Sequence, residues 1–151
     1  MKRSMIAAAT AALLLSTACS TPPTAVVRQC DSSLKAAECT VTVEQLDKLA
    51  TTTFNSQSSN RGVAVQATIT VETGQAVVRV IGSQGVAAET TVMAGQPAEI
   101  NARTIMKMGR KTGEKKDEGN SFRMEFDPQQ PTTKLSASIN YQVISQAEAT
   151  S

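Results

Sequence analysis

Hydrophobic and polar residues alternate along most of the chain after residue 62, with an apolar side chain at every second position. This period of two is typical of antiparallel strands that bury one face and expose the other. The alternating segments are 63–72, 75–82, 86–93, 98–107, 121–127 and 134–143. Short runs rich in Gly, Pro, Ser and Gln separate them, as expected for turns. About six strands joined in this way predict a mainly β domain, either an antiparallel β-sandwich or a strongly curved sheet.

The segment 43–52 departs from this alternation, because its apolar residues recur at the spacing of one helical face. These residues are Val43, Leu46, Leu49 and Ala50. Thr42 and Gln45 have the spacing of a capping box, in which side chains satisfy the first backbone donors of a helix. The sequence therefore predicts one short helix on the N-terminal side of the sheet. The last residues, 146–151, predict a flexible tail.

The N-terminus is typical of a secretory signal peptide. Lys2 and Arg3 precede an apolar run over 5–15. This run is too short to cross a bilayer, which takes about 20 apolar residues. The small residues at 16–18 then form a cleavage signal. We therefore expect residues 1–18 to be a signal peptide that is removed.

Cys19 follows the cleavage signal directly. The stretch Leu15-Ser16-Thr17-Ala18-Cys19 resembles the lipobox of bacterial lipoproteins. The resemblance implies that Cys19 receives a diacylglycerol and, after cleavage before it, a further acyl chain on its new amino group. It also implies a place in the bacterial cell envelope, where Ser20 in place of Asp indicates the outer membrane, facing the periplasm. Cleavage of the same bond by an ordinary signal peptidase, which would leave a soluble protein, is the alternative.

Residues 19–29 predict a tether between the lipidated cysteine and a β-rich periplasmic domain over 30–145, because Pro22 and Pro23 favour an extended chain. Removal of the signal takes two of the fifteen basic residues, which leaves thirteen against thirteen acidic residues. A domain without net charge lacks the basic surface on which nucleic-acid binding depends. The lipid anchor is therefore the expected contact with the membrane, and nucleic acid is not an expected partner.

The remaining cysteines, Cys30 and Cys39, predict a disulfide, because the envelope is an oxidising compartment. Two free thiols and half of a metal site are the alternatives. A metal site needs further ligands, and the chain contains no histidine. We therefore expect a disulfide, no bound metal and no cofactor.

The segment 106–120 is rich in charge and contains glycines that make it pliable. Loops on a rigid scaffold often carry recognition residues. The candidates are its basic residues, Lys107, Arg110, Lys111, Lys115 and Lys116. A solvated loop of mixed charge, with no binding role, is the alternative because acidic residues lie among them.

Groups that could carry out catalysis are scarce in this sequence. Without histidine, the common nucleophile–base pairs and the usual general base are absent. Glu72, Glu89 and Glu125 fall on strand exteriors, where we expect them to be cross-strand partners of Lys or Arg. The lack of Trp and the single Tyr disfavour a sugar-binding site built on exposed rings.

These features predict a non-catalytic, membrane-anchored envelope lipoprotein that contacts another protein. A subunit of a secretion or conjugation assembly and an inhibitor that guards the envelope are roles of this kind. A carrier that holds a small apolar ligand between its sheets is the alternative, and a hydrolase that uses carboxylates alone is a third hypothesis. The expected contact surfaces are free edge strands and the charged segment 106–120.

Overall fold

The computed structural model describes residues 24–33, 35–109 and 119–151. These residues form eight antiparallel strands and one short helix, which confirms the mainly β, antiparallel class. The strands are β1 (Val26–Ser32), β2 (Ala36–Leu46), β3 (Ala50–Ser56), β4 (Gly62–Thr70), β5 (Thr73–Gly82), β6 (Gly85–Met93), β7 (Ala98–Ile105) and β8 (Asn120–Ile144), and the helix is α1 (Gln146–Thr150).

β8 is the central strand of the sheet and is 25 residues long. β2 and β3 follow each other along one side of it, and β4 and β5 follow each other along its other side. β6 and β7 continue this arrangement, since β6 pairs with β5 and β7 pairs with β4. β1 pairs with the other side of β2. The chain therefore forms one sheet in which β2 and β3, β4 and β5, and β7 and β6 lie end to end as three long paths beside β8. Each path is interrupted near its middle, where one strand ends and the next begins.

The sheet is folded across that middle into two layers. Phe122 and Tyr141 both lie on β8, and a straight strand would hold them about 60 Å apart. Their ring centroids are 5.2 Å apart, so β8 turns back on itself. We call β3, β5, β6 and residues 120–127 the first layer, and β1, β2, β4, β7 and residues 135–144 the second layer. Side chains of both layers meet in one apolar core, as in a β-sandwich.

The long paths all bend at one level of the sheet, the fold line, at 47–49, 71–72, 94–97 and 128–134. The pairing of β8 with β5 shifts register there, and Pro128 and Pro131 are tolerated because the hydrogen-bond ladder is already irregular. Lys134 has a φ of 47°, and Gly74 on the neighbouring strand has a φ of 84°. A side chain on Gly74 would collide with the backbone oxygen of Pro131, so this bend requires glycine.

Aromatic side chains from both layers join at the centre of the core. Phe54 of β3 stacks on Phe122 with 4.9 Å between ring centroids, and Tyr141 meets both rings edge-on from the second layer. Arg28 of β1 covers this cluster from the side. Its guanidinium lies 5.4 Å from the Phe54 centroid and donates to the carbonyl of Thr53. Burial raises the pKa of Tyr141, so its hydroxyl is neutral at neutral pH.

The helix predicted over 43–52 is wrong. These residues form the end of β2, the bend at 47–49 and the start of β3. Val43 is buried, as a helical face would require, but Leu49 is 52% exposed. The strand prevails because Val41 and Val43 alternate with threonines, and because nearly all of β2 pairs with β8. The bend inserts residues between two segments of period two, and that insertion imitates a helical spacing.

The number of strands also differs from the prediction of about six, because the described residues form eight. β1, β2 and β3 lie where the sequence predicted a tether and a helix. The predicted strands 121–127 and 134–143 are one strand, β8, since β4 and β5 pair with it on both sides of the bend. The prolines that indicated a turn between them mark this bend instead.

The layers also meet at the ends opposite the fold line. The Ser83 N–H donates to the Ile105 carbonyl at 2.7 Å, and Lys107 and Ser121 exchange two backbone hydrogen bonds of 2.7 and 2.9 Å. The chain that leaves β7 thus crosses from the second layer to the first. Beyond β8, α1 occupies the segment predicted as a tail and begins with a capping box.

Candidate binding surfaces

The predicted disulfide between Cys30 and Cys39 is confirmed. The two residues face each other in the register of β1 and β2, where Cys39 is buried and Cys30 is exposed. The bond therefore fastens the outermost strand of the second layer to its neighbour. β1 is the first strand of the described chain, so a tether on its N-terminal side would be attached close to the bonded pair.

Most of the other predicted site residues lie outside the described part of the chain. They are Cys19, which follows the signal peptide, and Arg110, Lys111, Lys115 and Lys116 of the charged segment. Lys107 is described, with an exposed side chain and a backbone paired to Ser121 where the two layers meet. The structure thus places Lys107 alone among the five basic candidates.

β6 forms the outer edge of the first layer, and β5 is the one strand in the described ranges with which it pairs. Met93 at its end also bridges to Gln96 in the bend that follows. Natural edge strands usually carry Lys, Pro or bulges that prevent pairing with another chain. β6 has neither Lys nor Pro, and its one charged residue, Glu89, is bound by Arg79. Val86 and Met93 are 58% and 42% exposed. A register shift against β5 interrupts the regular strand near Val86, and the Met93 carbonyl accepts from the Gln96 N–H, so the open edge of β6 extends over 88–92.

The outer face of the first layer carries charges that pair with each other. Arg79 of β5 donates to Glu89 of β6 at 2.5 Å and to Asp127 of β8 at 3.0 Å. The hydrogen bond to Glu89 raises the pKa of Arg79 most, and the hydrogen bond to Asp127 raises it further. Arg123 and Glu125 form a second ion pair on β8, at 3.1 Å. The charged side chains of this face are therefore engaged in ion pairs with each other.

The outer face of the second layer forms a groove of about 880 Å³ that crosses the strands. Its walls are two rows of outward-facing residues that the register aligns across β2, β8, β4 and β7. One row is Glu38, Asn140, Gln66 and Asn101, and the other is Ala36, Gln142, Ala64 and Arg103. Asp31 and Ser33 close the end beside β1. Four strands at a spacing of about 4.8 Å make the groove about 14 Å long.

Ser33 exchanges hydrogen bonds with the backbone of Ala36, but the other polar side chains of the groove are not bonded within the described chain. Seven of its side chains make no hydrogen bond or ion pair with another described residue: Asp31, Glu38, Gln66, Asn101, Arg103, Asn140 and Gln142. Asp31 stands directly opposite Glu38 in the register of β1 and β2, and such like-charge pairs destabilise a sheet. At the other end, hydrogen bonds from Ser145 lower the pKa of Glu148 on α1, and the charge of Arg103 adds a smaller lowering.

The alternation in 63–72 puts Gln66 on the polar face of its strand, but it does not bring Gln66 together with Asn140 and Asn101. Alternation shows which residues point outward, but it does not show which strands are neighbours. The available signal was the presence of Asn in strands, where it is normally depleted. The expectation of cross-strand partners is confirmed for Glu72, which pairs with Lys134 at 2.7 Å, and for Glu89, which pairs with Arg79. It is wrong for Glu125, whose partner Arg123 lies on the same strand.

Neither the edge of β6 nor the groove is built as a metal centre. In residues 24–33, 35–109 and 119–151, no three His, Cys, Asp or Glu side chains come together in a way that could hold a metal ion. Over the same ranges, no helix has the length and apolar character needed to span a membrane.

A distant structural similarity links the described fold to a known protein. No protein-family model and no curated protein matches it. A solved structure described as "CBM4 structure and function" aligns with a TM-score of 0.35 and 7% sequence identity, over 74% of this chain and 73% of that one. A similarity this weak carries no conclusion about function.

Proposed function

We propose that this protein is a lipoprotein of the bacterial cell envelope that acts by contacting another protein and has no catalytic role. The lipid on Cys19 holds it at the outer membrane, and the residues that follow extend the domain into the periplasm. The disulfide between Cys30 and Cys39 supports a location outside the cytosol, because disulfides persist in oxidising compartments. Attachment at the N-terminal side of β1 leaves the other edges of the sheet accessible to a partner.

The observation that carries the contact role is the open edge of β6. An extended segment of a partner can add to such an edge through main-chain hydrogen bonds. The side chains of Ala88 and Thr90 point toward the core but are only half-buried, so alternate side chains of an added strand can pack beside them. The exposed Val86 and Met93 supply apolar contact near the ends of β6.

The charged segment 106–120 is the second contact surface in this proposal. Lys107, at its described end, is fixed by two backbone hydrogen bonds to Ser121. A segment that leaves a rigid frame in this way can present a recognition loop.

The absence of histidine from the chain supports the non-catalytic part of the proposal. The carboxylates of Glu89, Glu125 and Asp127 are already engaged in ion pairs with arginines, which leaves them less available to a substrate.

The carrier of a small apolar ligand is the weaker candidate. Its ligand would have to lie between the layers, where Phe54, Phe122 and Tyr141 are already in ring contact. The groove of about 880 Å³ lies instead on the outside of the second layer, where the side chains are mostly polar.

The anchor is tested by Cys19→Ser, with intact-mass measurement of the protein from its host. We expect the natural protein to begin at Cys19 with added acyl mass, and the variant to leave the membrane fraction. Unchanged membrane association of Cys19→Ser, or a wild-type mass without acyl groups, would remove the anchor from the proposal.

The contact role is tested by placing a photo-crosslinking residue at Met93 in host membranes. We expect a crosslinked partner that Thr91→Lys abolishes, because a lysine on an edge strand opposes the addition of another strand. Thr51→Lys on β3 is the matched control, since Thr51 is also exposed on an edge strand of the first layer. Crosslinks that resist Thr91→Lys, or that both variants reduce equally, would contradict contact through β6.

A further inference from the structure

The groove on the second layer is a built concave surface with hydrogen-bonding groups on both walls. Amide side chains come from three different strands, at Asn140 on β8, Gln66 on β4 and Asn101 on β7. An amide side chain has both donors and an acceptor, so it can accept a hydrogen bond from a hydroxyl group or donate one to it. Ala64 in the facing row leaves a small apolar patch along the groove, against which the C–H face of a sugar ring can lie.

The groove retains groups that cost stability, and the fold gains nothing from them. Asp31 and Glu38 stand opposite each other without a basic partner among the described residues. A ligand that donates hydrogen bonds to both carboxylates relieves that cost. The opposite end presents Arg103, which only donates. A ligand that fills the groove must therefore donate at one end and accept at the other.

The charges exclude polymers of a single sign. A polyanion would meet Asp31 and Glu38, and a polycation would meet Arg103, so either would be repelled at one end of the groove. The groove also lacks the exposed aromatic and large aliphatic anchors around which protein interfaces are built. The ligand that remains is neutral, extended and rich in hydroxyl groups.

We propose that the groove binds a neutral glycan chain laid across β2, β8, β4 and β7. Sugar hydroxyls donate to the carboxylates of Asp31 and Glu38, pair with the amides in the middle, and accept from Arg103. The aromatic residues Phe54, Phe122 and Tyr141 are buried in the core, so the affinity comes from hydrogen bonds without ring stacking. Binding is accordingly weak and depends on several residues together. This site is separate from the open edge of β6, so either proposal can fail without the other.

The test is a nuclear magnetic resonance titration of the full-length protein with maltohexaose, cellohexaose and chitohexaose at millimolar concentrations. We expect at least one of these neutral hexasaccharides to shift the side-chain amide signals of Gln66, Asn101 and Asn140 in a saturable way. Each of Gln66→Ala and Asn140→Ala should weaken the association about 5-fold, the effect of one hydrogen bond.

Asn55→Ala is the matched control, since Asn55 is an exposed asparagine on β3 of the first layer and should not affect binding. A neutral Gly-Ser peptide of similar length should produce no saturable shifts. The proposal is overturned if no hexasaccharide binds, if the shifts map to the first layer, if the peptide binds equally well, or if Asn140→Ala behaves like Asn55→Ala. Unchanged thermal unfolding of each variant shows that a loss of binding is not a loss of fold.

Discussion

The two layers of this protein have the same inner chemistry and opposite outer chemistry. On the first layer, Arg79 joins two neighbouring strands to its own through Glu89 and Asp127. On the second layer, the polar side chains of the groove make no such bonds within the described chain, and Asp31 faces Glu38. Polar residues on a strand exterior can therefore stabilise the sheet or remain available to a ligand. Their partners across the strands decide which.

The largest effect should come from the core that both faces share. Phe122→Ala removes the ring between Phe54 and Tyr141, and we expect a loss of about 3–5 kcal/mol in the free energy of unfolding. Urea unfolding should give one midpoint whether it is followed by Tyr141 fluorescence or by amide signals of the first layer. Two separate midpoints would mean that the layers unfold independently, which would contradict a core shared by both layers. Phe122→Leu, which retains most of the volume, should lose less.

The next effect belongs to the second layer alone. Replacing Cys30 and Cys39 together by alanine removes the covalent link between β1 and β2 and should cost about 2.5–3 kcal/mol. Hydrogen exchange should accelerate first in β1, because β2 is the one described strand that pairs with it. Faster exchange in β6 with no change in β1 would contradict this role. Chemical reduction of the natural protein should reproduce the effect.

Stability should also fall at alkaline pH because of Tyr141. Burial raises its pKa in the folded protein above the ordinary value of about 10. The folded state thus holds this proton more tightly than the unfolded chain does. Its contribution is complete below the unfolded pKa and is lost as the pH rises through the folded pKa. Thermal unfolding from neutral to alkaline pH should show this loss, and Tyr141→Phe should flatten it; an unchanged profile in that variant would assign it to other groups.

A smaller effect is expected from the ion pairs of the first layer. Arg79→Met removes the bonds to Glu89 and Asp127 and should lower the melting temperature, because two carboxylates then lose their shared partner. Added salt should reduce the difference between variant and natural protein, since it screens exposed charges. Arg123→Met, which breaks one pair with a more exposed arginine, should lower the melting temperature less. Equal effects of both variants would show that the bridging geometry of Arg79 adds nothing.

The smallest effect should come from the groove. Gln66→Thr and Asn140→Thr should change the free energy of unfolding by less than about 0.5 kcal/mol, because both side chains are exposed and neither bonds to another described residue. Urea unfolding of these variants beside Arg79→Met gives the direct contrast between the two outer faces. Strong destabilisation by either substitution would show that the groove residues support the fold after all.

The alternation of apolar and polar residues shows which side chains of a strand share a face, but it does not show how the strand bends or pairs. It identified the inward residues of β4, β7 and β8, because a period of two sorts the side chains of a strand by face. It failed at 43–52, where the bend after Leu46 displaced the alternation and produced a helical spacing. It also divided β8 at Pro128 and Pro131, because prolines in a turn and in a bent strand look the same locally.

For the binding surfaces, the cysteine pair followed from composition and compartment, and the disulfide confirms it. The groove could not be predicted, because Glu38, Gln66, Asn101 and Asn140 become neighbours only through the order and register of four strands. The one local signal, the presence of Asn in strands, does not show which residues become neighbours.

The sequence by itself determined the mainly β class, the inward face of most strands and the pairing of the two described cysteines, because each depends on local alternation or on residue type. The tertiary structure decided that a single sheet folds back on itself, that β6 has an open edge, and that one outer face keeps its polar groups uncommitted. These features depend on which strands lie side by side, and that choice is made by contacts between residues far apart in the chain.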